Sequence, residues 1–199
     1  MGRVAVINSS KASPKPAPMR MIKASSIPST KKRNAKALEW RLHMNTPYFK
    51  NLLKENNQCP EIKIPGDIIL RMIFAESSGN PKAIEYRKDK SGNPVPIGFG
   101  LLQVRPETVE ELKRVGRVPK NSEPDLLNPQ DNISVGTTYL NYLWDTVAPF
   151  GSRKIFEDAT PEQKMRYVRA AWNTGPTTVR KKGITERGKA YNAKIEGME

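Results

Sequence analysis

Proline at the head of successive apolar stretches restricts this chain more than any other feature. A proline breaks a helix from inside, yet at the first helical position it is preorganised and loses no hydrogen bond. Thr46-Pro47, Pro106, Asn128-Pro129 and Thr160-Pro161 each open a stretch of apolar residues at helical spacing. These stretches carry, in turn, Phe49, Leu52 and Leu53; Val109 and Leu112; Ile133, Gly136, Thr137, Leu140, Leu143, Trp144 and Val147; and Met165, Val168 and Trp172. Pro60 stops the first, and Gly175-Pro176 ends the last. Thr160 with Gln163 has the form of a capping box. Asp67 is expected to cap a further helix that buries Ile68, Ile69, Met72 and Ile73 and ends at Gly79-Asn80-Pro81. A Gly- and Pro-rich loop is expected from there to about Val104, and short helices around 177–182 and 187–195 close the chain. With little strand signal, the pattern predicts a mainly α domain over residues 42–199.

The first 41 residues differ in kind. They hold ten basic residues and one acid, and so supply +9 of the chain's net charge of +14. They are rich in Ser, Lys, Ala and Pro and have no sustained period. Such a segment buries too little apolar surface to offset its ordering entropy. It reads as a basic tail, either disordered or ordered on a partner such as another protein, nucleic acid or an anionic wall polymer. Nucleic-acid binding rests on charge alone, since no recognition motif accompanies it.

Composition narrows the chemistry. No run of 18 apolar residues is present, so no transmembrane helix is expected. Val4 to Ile7 is followed at once by polar residues, so no export signal is visible. One cysteine, Cys59, excludes an intramolecular disulfide and a Cys-rich zinc site, and one histidine, His43, leaves no His-based metal cluster and argues against a serine or cysteine triad. Any catalysis must run mainly on carboxylates, amides and hydroxyls.

Glu76 is the most informative of these carboxylates. It sits near the end of an apolar helix, after Ile73, Phe74 and Ala75. Burial and the negative end of the helix dipole both disfavour its charged form, as a general acid requires. The alternative is a solvent-facing glutamate in a last turn.

Four segments bear on that choice. They are E-S-S-G-N-P-K-A at 76–83, G-F-G-L-L-Q-V-R-P-E-T at 98–108, L-N-P-Q-D-N-I-S-V-G-T-T-Y-L at 127–140 and A-A-W-N-T-G-P-T-T-V at 170–179. In order and spacing they resemble the lytic transglycosylase domain of the soluble (Slt) type, within the lysozyme-like superfamily. The resemblance implies a goose-type, lysozyme-like helical fold. It also implies cleavage of the β-1,4 bond between N-acetylmuramic acid and N-acetylglucosamine in peptidoglycan, giving 1,6-anhydro ends with a single Glu acid/base. The acid would be Glu76. Gln103 and Asn173 would contact the sugar. Ser77 would orient the acid or merely end the helix; Tyr139 would line the cleft or pack; Gly100 would admit the substrate or serve a tight turn. Tyr191 falls where the family has a late tyrosine reaching towards the acid.

The chain departs from the family in four places. Leu102 and Trp172 stand where methionine and tyrosine are usual in two cleft blocks, and Arg105 where a related type has a second methionine. The fourth departure is a longer, more charged segment at 85–96. It brings Glu85 to a position where a substrate-binding serine is common. It also brings Asp89, thirteen residues after Glu76, to a spacing that resembles goose-type lysozymes. Either carboxylate could position a water and make the reaction hydrolytic, or be a solvated loop acid. A catalytically silent structural or binding subunit is the alternative from another class. Because the bond lies outside the bacterial membrane, the expected setting is a bacteriophage virion protein that opens the wall locally during genome delivery. The runner-up is a periplasmic or envelope component of a secretion or conjugation machine.

Overall fold

Two of the described helices begin where proline and a capping side chain coincide. In the computed structural model the described residues are Asn51, 64–147 and 158–198. The basic tail and the expected helix at Phe49, Leu52 and Leu53 lie outside them, Asn51 apart. Helix α1 spans Gly66–Ser77, followed by strands β1 (Ile84–Lys88) and β2 (Pro94–Phe99). Then come α2 (Pro106–Arg114), α3 (Pro129–Thr146), α4 (Pro161–Thr174), α5 (Pro176–Lys182) and α6 (Glu186–Glu196). The Asn128 side chain accepts from the backbone N–H groups of Gln130 and Asp131 at the head of α3. At the head of α4 both halves of the Thr160–Gln163 capping box form.

Two expectations are corrected. Asp67 is not the cap of α1. The helix starts two residues earlier, with the Pro65 carbonyl accepting from Ile68 and Ile69 N–H. Asp67 sits in the first turn, where its charge suits the dipole, and pairs with Arg71 at 3.2 Å. The expected loop between α1 and α2 is in part a β-hairpin. β1 and β2 pair antiparallel, with a bulge where Glu85 faces Gly98 but Tyr86 faces Pro96. Pro94 and Pro96 concealed the second strand. An isolated two-stranded hairpin leaves one side of each strand unpaired, so it accommodates residues without an N–H. Asp89 closes the turn, its Oδ1 accepting from Ser91 and Asn93 N–H at 2.8 Å each.

The core joins α1, α3, α4 and α6 through residues such as Ile69, Met72, Ile73, Ile133, Leu140, Leu143, Val168 and Ile195, all fully buried. One buried polar side chain organises the approach to α2. Asn132, on α3, accepts from Leu102 N–H at 2.8 Å through Oδ1. Its Nδ2 donates to the carbonyls of Phe99 at 2.7 Å and Leu126 at 2.8 Å. Gly100 passes so close to this amide that a Cβ there would lie 2.3 Å from Leu126 O and 2.5 Å from Asn132 Nδ2, and its φ is +71°. Leu102 then packs into the core over Gly136, where a Cβ would meet its Cδ1 at 2.4 Å.

Removing this clamp should be costly. Asn132→Ala leaves the Leu102 N–H and the Leu126 carbonyl without their partner, at about 1–3 kcal/mol for each buried group left unpaired, while the Phe99 carbonyl keeps Val104 N–H at 3.0 Å. Chemical denaturation should show a loss of about 3 kcal/mol or more. Gly100→Ala should destabilise comparably, whereas Gly92→Ala, with open space around its Cβ but a positive φ, should cost only about 1 kcal/mol.

Candidate active site

Helix α1 delivers Glu76 one residue from its C-terminal end, into a cleft of about 510 Å³. The apolar run before it seats α1 in the core, and the chain then leaves through Ser78, whose φ of 55° terminates the helix. Glu76 shares the cleft with Ser77, Glu85, Gln103, Arg105, Tyr139, Trp172, Asn173 and Arg187, among others.

Two donors from different helices converge on one oxygen of the acid. Tyr191 O–H on α6 donates to Glu76 Oε1 at 2.5 Å, and Trp172 Nε1–H on α4 donates to the same oxygen at 3.2 Å. Among the described residues, Oε2 accepts no hydrogen bond. Burial pushes the Glu76 carboxyl above its ordinary range. The Tyr191 hydrogen bond, the charge of Lys194 and the Trp172 hydrogen bond oppose that rise, and the charge of Glu85 adds to it. Burial and the neighbouring carboxylate hold the Tyr191 hydroxyl well above the usual phenol range, so it stays a donor.

The α4–α6 interface explains why these donors meet. Gly188 on α6 lies against Ala170 on α4, where a Cβ would come within 3.0 Å of the alanine's own. Beside it, buried Arg169 donates through Nε to Asn192 Oδ1 at 2.9 Å and through Nη2 to Glu196 Oε1 at 2.6 Å. Asn192 Nδ2 donates back to the Arg166 carbonyl at 3.0 Å. The residues next to these anchors, Trp172 one turn on and Tyr191 one residue before, are thereby held on the face towards α1. Lys194 completes the junction by donating to the Ala75 carbonyl.

The other expected site residues divide. Gln103 lines the cleft in a left-handed conformation, φ 50°. Its amide nitrogen is committed to the carbonyls of Ala83 at 3.1 Å and Gly100 at 2.7 Å, so its Oε1 is the atom left for a ligand. Asn173 lines the cleft and accepts from Arg187 Nε at 3.0 Å. Tyr139 lies against Trp172, with ring centroids 5.7 Å apart, and burial pushes its hydroxyl up to about 12. Ser77 reaches the cleft, but its hydroxyl donates to the Ile73 carbonyl and not to the acid. The structure does not bring Gly100, Leu102 or Asp89 to the cleft wall. Gly100 and Leu102 are held against Asn132 and the core, and the Asp89 carboxylate is used in the hairpin turn. Of the two extra acids, only Glu85 reaches the cleft.

Sequence reasoning gave no site role to Arg187, Thr108 or Gly98. Gly98 packs against two of the cleft side chains, since a Cβ there would lie 3.2 Å from Gln103 Oε1 and 3.3 Å from Glu85 Oε2. Its signal was available in the G-F-G pair of the second block, where only the second glycine was singled out. Among the described residues, no group of three or more His, Cys, Asp or Glu side chains is arranged to hold a metal ion.

Comparisons with known proteins identify the chain's relatives. The family model for the transglycosylase SLT domain matches residues 46–195. The soluble lytic murein transglycosylase of Escherichia coli (strain K12) is 33% identical over 120 residues, covering 59% of this chain and 15% of that protein. Membrane-bound lytic murein transglycosylase E of Buchnera aphidicola subsp. Acyrthosiphon pisum is 27% identical over 157 residues, covering 75% of this chain and 63% of that protein. The crystal structure of the 70 kDa soluble lytic transglycosylase of E. coli aligns with a TM-score of 0.44 and 25% identity, over 75% of this chain and 19% of that one. The chain thus spans less than two thirds of the length of these relatives. Since the family model covers well over half of its residues, the chain belongs to the transglycosylase SLT domain family.

Proposed function

We propose that this chain is a lytic transglycosylase that cuts the β-1,4 bond between N-acetylmuramic acid and N-acetylglucosamine in peptidoglycan, with Glu76 as acid and then base. The observation that carries this is the Glu76 carboxyl, half-buried, raised in pKa and held at Oε1 by Tyr191 and Trp172. With both donors on Oε1, Oε2 is the oxygen left to carry the proton when the acid is neutral. From there it passes to the glycosidic oxygen as the C1–O bond breaks. The substrate's N-acetyl group stabilises the developing charge at C1. The C6 hydroxyl of the muramoyl sugar closes onto C1 and gives its proton to Oε2, which restores the acid and consumes no water. Gln103 Oε1, Asn173, Tyr139 and Trp172 line the sugar path, and no metal or cofactor takes part. Glu85 favours a second reading, in which a cleft carboxylate positions water and the enzyme is a hydrolytic muramidase.

For the setting we keep local wall opening by a phage virion protein, with an envelope secretion or conjugation machine as the alternative. Residues 1–41 would form a basic arm for other machine components. None of the described helices is long and apolar enough to cross a membrane.

Glu76→Gln should lower the rate of cleavage of purified peptidoglycan by about 10²–10⁴-fold, the usual contribution of a positioned acid. Mass spectrometry of the parent digest should show anhydro ends; reducing ends alone would replace the lytic reading by the hydrolytic one.

Glu76→Gln should also stabilise the fold at neutral pH. A carboxyl whose folded pKa is raised is penalised when ionised, so the penalty is present above the folded pKa and fades as pH falls towards the ordinary value. The gain in Tm should shrink on acidification in the same way.

Tyr191→Phe removes a donor that favours the carboxylate, so the Glu76 pKa rises further. The basic limb of the kcat/KM pH profile should move to higher pH, while overall activity falls.

A further inference from the structure

Two of the sequence departures meet in the cleft. Glu85 on β1 and Arg105 at the head of α2 both line it, with Arg105 Nη2 4.0 Å from Glu85 Oε2. Their side chains are 52% and 42% exposed, respectively. At that distance and exposure the pair is screened and makes no hydrogen bond, so it contributes little to stability. Among the described residues, the Arg105 guanidinium donates no hydrogen bond at all. It is a rigid fork of five donors on the wall of a cleft. On β2, Gly98 lies close against two of the cleft residues, where a Cβ would crowd both Gln103 Oε1 and Glu85 Oε2.

A glycan backbone of N-acetylated sugars is uncharged and gives such a fork no counter-charge. The muramoyl substituent does. It ends either in a free lactyl carboxylate or in a peptide stem that carries carboxylates of its own. Resting on the peptidoglycan reading above, we propose that Arg105 is a substrate-binding residue that recognises a carboxylate on the muramoyl substituent and so sets a preference for strands that bear one. A carboxylate accepts two parallel N–H bonds from one edge of a guanidinium. The loose contact with Glu85 occupies no donor, so the substrate carboxylate has little to displace. Glu85, beside the fork, limits the site to one such group, because a second would face it uncompensated.

Binding can be measured without cleavage by using the full chain with Glu76→Gln. The probes are denuded glycan strands with free lactyl carboxylates and strands carrying peptide stems, each compared with its own carbodiimide-amidated form. The expected result is a preference of about tenfold for at least one unmodified strand over its amidated form, the size of one charge-assisted pair, declining with added salt. The strand that shows it identifies whether the lactyl group or the stem supplies the carboxylate. Adding Arg105→Gln should bring the ratio to about one, and Arg105→Lys should keep part of it. An unchanged ratio in Arg105→Gln, or no preference in the parent, overturns the proposal. Failure of the unsubstituted chain to cut any strand overturns the transglycosylase reading instead, and the binding ratio still decides for or against Arg105.

Discussion

The Asn132 side chain is the contact on which the cleft depends. A primary amide has one acceptor oxygen and one nitrogen with two donors, and all three functions are used on backbone groups of another segment. Fully buried, it cannot exchange those partners for water, so the turn from Phe99 to Leu102 must follow the amide's geometry. Gly100 and Gly136 follow from it as the places where no side chain fits. Gln103 follows too: its left-handed backbone turns its amide back towards Ala83 and Gly100 and leaves its oxygen on the cleft. A polar group in the core thereby shapes a wall of the site without touching it.

The opposite wall is held by a different device. Close approach of α4 and α6 at Ala170 and Gly188 is pinned by the buried Arg169 and its partners Asn192 and Glu196. Burying a guanidinium is costly unless its donors are satisfied, which ties the two helices in one register. That register brings an indole N–H and a phenol O–H from separate helices to the same carboxyl oxygen. Ridge packing of apolar residues alone would tolerate small slides; a buried, directional pair tolerates them far less.

Much of this was legible in sequence, and unevenly. Helix starts were plain because proline and Asn or Thr caps act within three residues. The acid was legible from Ile73, Phe74 and Ala75 before it, and Tyr191 from its position in the family pattern. The hairpin was missed because Pro94 and Pro96 argue against a strand, and only pairing with β1 reveals that they need no N–H. Asp89 and Glu85 could not be separated by spacing, since the turn that takes up Asp89 exists only once that hairpin forms. Gly100 and Leu102 stand in a cleft motif yet serve packing. Their partner, Asn132, lies thirty residues further on, beyond any local pattern.

A single carboxyl that must both give and take a proton cannot be tuned to one extreme. Desolvation alone would raise its pKa until the spent acid would hold its next proton too tightly to release it. Strong donors alone would lower it until no proton was present to give. Glu76 carries both influences, burial on one side and Tyr191, Trp172 and Lys194 on the other, with burial prevailing. A general acid–base is most effective with its pKa near the working pH, which is where opposed shifts of this kind tend to leave it. In the proposed reaction the donors would stay on Oε1, stabilising the anion between the two proton transfers without obstructing Oε2. Trp172 suits the same demand, because an indole N–H can only donate to Oε1.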